Sequence, residues 1–197
     1  GQRLDSMQFI PLPSHVPVII VDDFYGQEEL DLIWKELKFL TDPSKFKPPE
    51  ETGAAKEGDG YLKHAHGVWL DKVYADRSMS NILNCNRKVF SVEFVNEVKK
   101  FNPLYCILDN INSDHTLLNY YEDNEDYKKH KDESVFTAVT MVMKEPVGFS
   151  GGDFVVHDYD LLIEKRNNRL IFFPGCLQHS VTPVKMNQMY EPFGGDG

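Results

Sequence analysis

Three side chains in this 197-residue chain have the types and spacing to do metal chemistry: His130 and Asp132, separated by one lysine, and His179, 47 residues beyond Asp132. Side chains two apart in an extended segment leave the same face, so His130 and Asp132 are expected side by side. His179 opens another strand-like run, where folding can set it against the first pair. Two imidazoles and one carboxylate hold a six-coordinate metal on one side and leave three positions open, the arrangement of non-heme Fe(II) sites. A four-ligand tetrahedral cage leaves no such room. The other histidines lack the pattern. His64 and His66 form His-x-His without a carboxylate or third imidazole nearby in sequence and read as loop or pocket-rim residues. His115 and His157 lie in strand-like segments with no matching partner.

The elements that must position these residues are partly legible. Residues 17 to 24 are a β-branched run ending in Asp-Asp-Phe and read as a buried strand. A helix is expected from Gln27 to Leu40, with Leu30, Ile33, Trp34, Leu37 and Leu40 on one face and Glu28, Glu29 and Asp31 near the positive end of its dipole. From 42 to 67, prolines and glycines interrupt any period, and an irregular, flexible loop is expected. Val68-Trp69-Leu70 reads as a short strand, and a second helix is expected from Ser78 to Phe101, turning Ile82, Val89, Phe90, Phe94 and Val98 to the core. Strands follow at about 105–108, 115–121, 135–143, 153–157, 169–173 and 180–184. Asn167-Asn168 and Gly148 to Gly152 mark turns. Helices followed by a crowd of strands argue for an α+β fold: a double-stranded β-helix (jelly-roll, cupin-like) core backed by N-terminal helices.

Length fits one domain over residues 1–197, with 1–6 read as a remnant ahead of Met7 and left out of the fold reasoning. A hydrophobic content of 41% and a charged content of 26% are ordinary for a soluble protein. No apolar run approaches the ~20 residues needed to span a bilayer, and no signal-peptide pattern opens the chain. Cys85, Cys106 and Cys176 show no metal-type spacing and read as reduced thiols, which points to the cytoplasm. A net charge of -10 argues against nucleic acid as a partner.

The chain also resembles a family, the 2-oxoglutarate- and Fe(II)-dependent dioxygenases of the prolyl 4-hydroxylase-like branch. The likeness rests on Tyr121-x5-Tyr127-x2-His130-x-Asp132, on Gly151-Gly152-Asp153-Phe154, and on Phe173-Pro174-Gly175-x3-His179-x-Val181-x-Pro183-Val184. Residues 17 to 24 look like the family's first strand, so the likeness covers most of the chain. It implies His130, Asp132 and His179 as Fe(II) ligands and 2-oxoglutarate as co-substrate, with O2 and a proline-containing peptide or protein as partners and ascorbate as a supporting reductant. It places a co-substrate hydroxyl donor nine residues before the first histidine, at Tyr121, and a pocket-lining residue at Val181. Lys128, Lys129 and Lys131 read as a solvated face or as a basic rim attracting a dianionic co-substrate. The loop over 42–67 falls where the family has a flexible, substrate-covering segment.

One part of the family pattern is missing. The basic residue usually found on the strand after the second histidine is absent, and position 189 is Met. Either a final strand carrying it lies after Gly197, which is the favoured reading, or Lys185 substitutes from another direction. The expected activity is hydroxylation of an unactivated C–H bond, with a prolyl residue as acceptor by analogy alone. A hydroxylase of a free amino acid or other small molecule, an oxidative demethylase of nucleic acid, and a metal-binding jelly-roll module without turnover are the alternatives. Oligomeric state is not legible.

Overall fold

The first predicted strand shows how the layers assemble. In the computed structural model, which describes residues 6–41 and 45–187, Ile19–Asp22 is a strand with all four residues buried. Alternate side chains go to opposite faces. Ile19 and Val21, with Leu170 and Phe172, pack against helical residues including Ile33, Leu83, Phe94 and Val98. Val18, Ile20, Ile171 and Phe173 pack the other way, against Phe154, Val156 and Ile163. Helices therefore cover one face of a first sheet, and a second sheet covers the other.

The first sheet runs in the order Gln8–Ile10, Ile19–Asp22, Arg169–Pro174, Phe136–Met141. The second runs Leu161–Ile163, Phe154–Val156, His179–Val181, Asp126–His130, Lys63–His64. Every pairing in both is antiparallel. A bidentate pair ties one end of the two central strands of the first sheet: Arg169 Nε donates to Asp22 Oδ1 at 2.7 Å and Nη2 to Oδ2 at 3.0 Å. The architecture is mixed helix and antiparallel sheet. No helix among the described residues is long and apolar enough to cross a membrane.

The first helix spans the predicted Gln27–Leu40. Its buried Glu36 accepts hydrogen bonds from Ser80 Oγ at 2.5 Å and Ile82 N at 2.7 Å, which ties it to the next helical segment. The continuous second helix expected over 78–101 is instead broken into Asn81–Asn86 and Val92–Phe101 with 3-10 turns at Arg77–Met79 and Arg87–Phe90. Ser80 and Ser91 are the reason, since each accepts a hydrogen bond from a backbone N–H and starts a new helix. The strand expected at 105–108 is a 3-10 helix, Pro103–Asn110, capped by the Asn102 side chain. Its Tyr105 hydroxyl donates to the carbonyls of Pro17 and Phe172.

The turns fall as expected, with positive φ at Asn168, Gly151 and Gly152. The stretch expected to be irregular over 42–67 carries a 3-10 turn at Pro49–Glu51, a small hairpin of Lys56–Glu57 and Gly60–Tyr61, and the edge strand Lys63–His64. Residues 42–44 lie outside the described residues, as do 1–5 and the final stretch from 188, which holds Met189.

Candidate metal centre

His130 ends one strand of the second sheet and His179 begins its neighbour, and the two are directly paired. Their ring centroids lie 4.3 Å apart. Asp132, just past the strand end, places Oδ1 3.6 Å from His130 Nε2 and Oδ2 3.3 Å from His179 Nε2. One donor atom from each residue lies within 4.8 Å of the others, a group that could hold a metal ion. The pairing is bulged: Tyr127 opposes Val181 while His130 opposes His179, so three steps on one strand match two on the other. The extra residue turns Tyr127 and His130 to the same side. Their rings stack at 3.6 Å and 13°. His179 is held between Phe154, stacked at 5.5 Å, and the edge-on ring of Phe173 at 4.8 Å.

Backbone carbonyls set both imidazoles. His130 Nδ1 lies 2.7 Å from Lys128 O, and His179 Nδ1 lies 2.8 Å from Leu177 O. A carbonyl can only accept, so each Nδ1 carries a proton, and in the neutral ring the lone pair free to ligate is on Nε2. Burial, with smaller contributions from the His179 and Lys63 charges, pushes His130 down to about 4, so it is neutral and able to ligate at ordinary pH. Burial works against the Asp132 carboxylate, but hydrogen bonding and charge from His179, the Thr137 hydroxyl and His130 outweigh it and lower its pKa. Thr137 Oγ1 donates to Asp132 Oδ2 at 2.7 Å. Asp132 is also placed through the backbone: its N–H donates to Gly175 O, and Gly175 N–H donates to Val135 O. A Cβ at Gly175 would meet Ser134 O at 2.1 Å, so this close approach requires glycine.

The remaining predicted residues divide. Val181 lies two residues after His179 on the same inward face, opposite Tyr127. The Tyr121 hydroxyl makes no hydrogen bond with any described residue, and burial raises its pKa, with the charges of Tyr127, Asp126 and Glu125 adding to the shift. Lys185 is not brought to the centre: it is exposed, on a strand paired with Phe149–Ser150, and its ammonium donates to Asn124. His64 and His66 line an open cavity of about 510 Å³ at the free edge of the second sheet, with Pro49, Glu50, Tyr61 and Glu125. His157 bonds Ser180 Oγ at 2.8 Å, and His115 lies 3.9 Å from Asp71.

Sequence reasoning missed Thr137, the ring of Tyr127 over His130, and Lys63. Residues 63, 65 and 67 are all buried in the structure, the two-residue alternation of a strand, but Lys-His-Ala-His-Gly carries no apolar alternation that would show it.

No family model matches the chain, and no curated protein matches it. Among solved structures it is similar to the viral collagen prolyl hydroxylase of Paramecium Bursaria Chlorella virus-1 in complex with 2OG, at 14% identity and a TM-score of 0.50, over 90% of this chain and 93% of that one. At that identity the likeness is one of fold, and it extends over nearly the whole length of both chains.

Proposed function

We propose that this chain is an Fe(II)- and 2-oxoglutarate-dependent dioxygenase on a jelly-roll core, hydroxylating an unactivated C–H bond, with a prolyl residue of a peptide or protein as acceptor. The observation that carries this reading is the convergence of His130, Asp132 and His179 with both Nε2 lone pairs freed by backbone hydrogen bonds. Fe(II) held there supplies, with O2 and a 2-oxo acid, the oxidising power for a C–H bond.

The protein's own residues orient and exclude. Lys128 O and Leu177 O hold the imidazoles in the ligating tautomer, and Thr137 turns the Asp132 carboxylate toward them. Tyr127, Phe154 and Phe173 wall the centre with rings and keep water from its back. The Tyr121 phenol, kept protonated by burial, is a hydroxyl donor for the co-substrate, and Val181 lines its pocket. The segment before Lys63 is read as substrate-covering, because Ala55 N–H reaches the Tyr127 hydroxyl at 3.3 Å. Proline as acceptor is supported by the fold shared with a collagen prolyl hydroxylase.

The test is succinate formation from 2-oxoglutarate with Fe(II) and ascorbate, with and without a proline-containing peptide, followed by mass analysis of the peptide. Expected are Fe(II)-dependent succinate and a peptide gain of one oxygen. Metal binding without succinate under any of these conditions would leave a metal-binding module in place of an enzyme.

A further inference from the structure

The open cavity of about 510 Å³ at the free edge of the second sheet has no part in the metal centre. Its volume is within the ~300–1,000 Å³ typical of ligand pockets. Ala65, His66 and Glu125 line it from the sheet edge, and Glu50, Asp59 and Tyr61 line it from the segment before the edge strand. Three carboxylates therefore border one space. Glu50 and Asp59 have no cationic partner among the described residues. Glu125 is half-buried: its Oε1 accepts from Glu122 N at 2.7 Å, and its Oε2 lies 3.9 Å from His66 Nδ1. Burial raises the Glu125 pKa, so its charged form is held against a desolvation penalty. Lys63 also lines the cavity, but its ammonium is turned to Thr52 Oγ1 at 2.6 Å and Asn119 Oδ1 at 3.0 Å.

The lining indicates which kind of cation fits. A bare metal ion needs converging donors, and among the described residues only His130, Asp132 and His179 bring three ligand atoms within 4.8 Å of one another. Carboxylates spread around a wider space suit a cation carried on a longer body. A lysine or arginine side chain is such a body: its apolar stem can lie along Pro49, Ala65 and Tyr61 while its charged head reaches the carboxylates. The Tyr61 ring already draws one ammonium, that of Lys56, 4.7 Å from its centroid. The net charge of -10 steers the same class of partner toward the protein.

The cavity adjoins the metal centre across one strand. Lys63 of the edge strand opposes Tyr127, whose ring stacks on His130, and Glu125 is two residues before Tyr127. Glu50, Asp59 and Tyr61 belong to the segment whose Ala55 N–H reaches the Tyr127 hydroxyl. Neighbouring strands lie about 4.8 Å apart, so the cavity opens on the order of 10 Å from the His130–His179 pair, or about three residues of extended peptide at ~3.3 Å each. We infer that the cavity is a side-chain subsite for a lysine or arginine of the polypeptide substrate, a few residues from the one that is oxidised. Glu125, Glu50 and Asp59 are its specificity-determining carboxylates. The inference rests on the function proposed above.

The test is equilibrium binding of proline-containing peptides in the presence of Fe(II) and 2-oxoglutarate under anaerobic conditions, where no turnover occurs. One lysine is moved stepwise along the residues on either side of the proline, with glutamine at the same positions as the reference. Lysine at one or two positions should tighten binding about fivefold, the upper end for an ion pair open to water. Arginine there should do the same, and glutamate should bind more weakly than glutamine. Glu125→Gln, which keeps an oxygen for the Glu122 N–H, and Glu50→Gln should each remove most of the gain. Glu93→Gln, at an exposed carboxylate on the helix Val92–Phe101, changes the net charge equally and should leave the gain intact. The assignment is overturned if no position favours lysine, or if lysine helps equally at every position, which marks general attraction to an acidic protein. It is also overturned if Glu93→Gln costs as much as the cavity variants. A position-specific lysine preference in a protein that forms no succinate with any peptide keeps the subsite and overturns the dioxygenase reading. Succinate formation without a lysine preference does the reverse.

Discussion

The first sheet sends hydrocarbon into both of its interfaces: Ile19, Val21, Leu170 and Phe172 toward the helices, and Val18, Ile20, Ile171 and Phe173 toward the second sheet. The second sheet is divided. The half formed by Phe154–Val156 and Leu161–Ile163 contributes Phe154, Val156 and Ile163 to the shared core. The half formed by Asp126–His130 and Lys63–His64 turns His130, Tyr127 and a fully buried Lys63 inward. Apolar burial stabilises in proportion to area, whereas buried imidazoles and ammonium groups cost free energy until a ligand or counter-ion satisfies them. The apolar part therefore carries the fold, and the polar part carries a site that the rest of the molecule must hold in place.

That division can be broken from either side. His179→Ala should have the largest effect, and on the polar side alone: metal affinity falls well beyond the roughly 10- to 100-fold typical of losing an outer-shell partner. Metal-free unfolding should change little by comparison. Titration with Fe(II) or Mn(II), alongside denaturant unfolding of the apo protein, reads both. Phe172→Ala should do the opposite. Its ring packs against Phe94, Tyr105 and Phe136 on the helix side of the first sheet, and truncation should cost about 3–5 kcal/mol in denaturant unfolding. Metal affinity per folded molecule should hold.

Tyr121→Phe sharpens the comparison inside the site. It deletes only a hydroxyl, at a cost of about 1.5–3 kcal/mol if that group bonds a charged co-substrate, or roughly ten- to hundredfold in 2-oxoglutarate affinity. Fe(II) binding should barely move. An unaltered 2-oxoglutarate affinity with the fold intact would return Tyr121 to the wall of the core.

The last expected effect is a slope. Burial lowers the Lys63 pKa to about 8, from 10.5 for an ordinary lysine. Between those values the unfolded chain holds a proton that the folded chain has released, so stability rises with pH across that window. Below about 8 both states are protonated, and the buried charge weighs on the fold in full. Denaturant unfolding from pH 7 to 10.5 should show this rise in wild type and lose it in Lys63→Met. Parallel curves for the two proteins would mean that Lys63 is not desolvated in solution.

Much of this arrangement can be read from local pattern. Gln27–Leu40 was legible because an apolar face repeats at helical spacing, and Ile19–Asp22 because a β-branched run has few other uses in a core. The break at Ser91 was not, since a serine within an apolar-periodic stretch marks a helix start only when its hydroxyl meets the N–H of Phe94. Lys63 was hidden by the prolines and glycines before it, which made a regular strand look like the tail of a loop. Lys185, the less favoured option for the cation, shows the same limit: sequence shows a cation without showing where it points.

What the sequence determined by itself was the types of the candidate ligands and their local spacing: His130 and Asp132 share a side because extended backbone alternates with period two, and His179 sits at a strand start shortly after Phe173-Pro174-Gly175. The tertiary structure decided the rest. The register that sets His179 opposite His130, the bulge that turns Tyr127 onto the His130 ring, the carbonyls that fix both tautomers, and the contact of Gly175 with Ser134 all join residues distant along the chain or depend on backbone groups that every residue carries alike. Periodicity is a local property and leaves its mark in residue types. Register and backbone hydrogen bonding follow from how whole strands align, which no single stretch of side chains encodes.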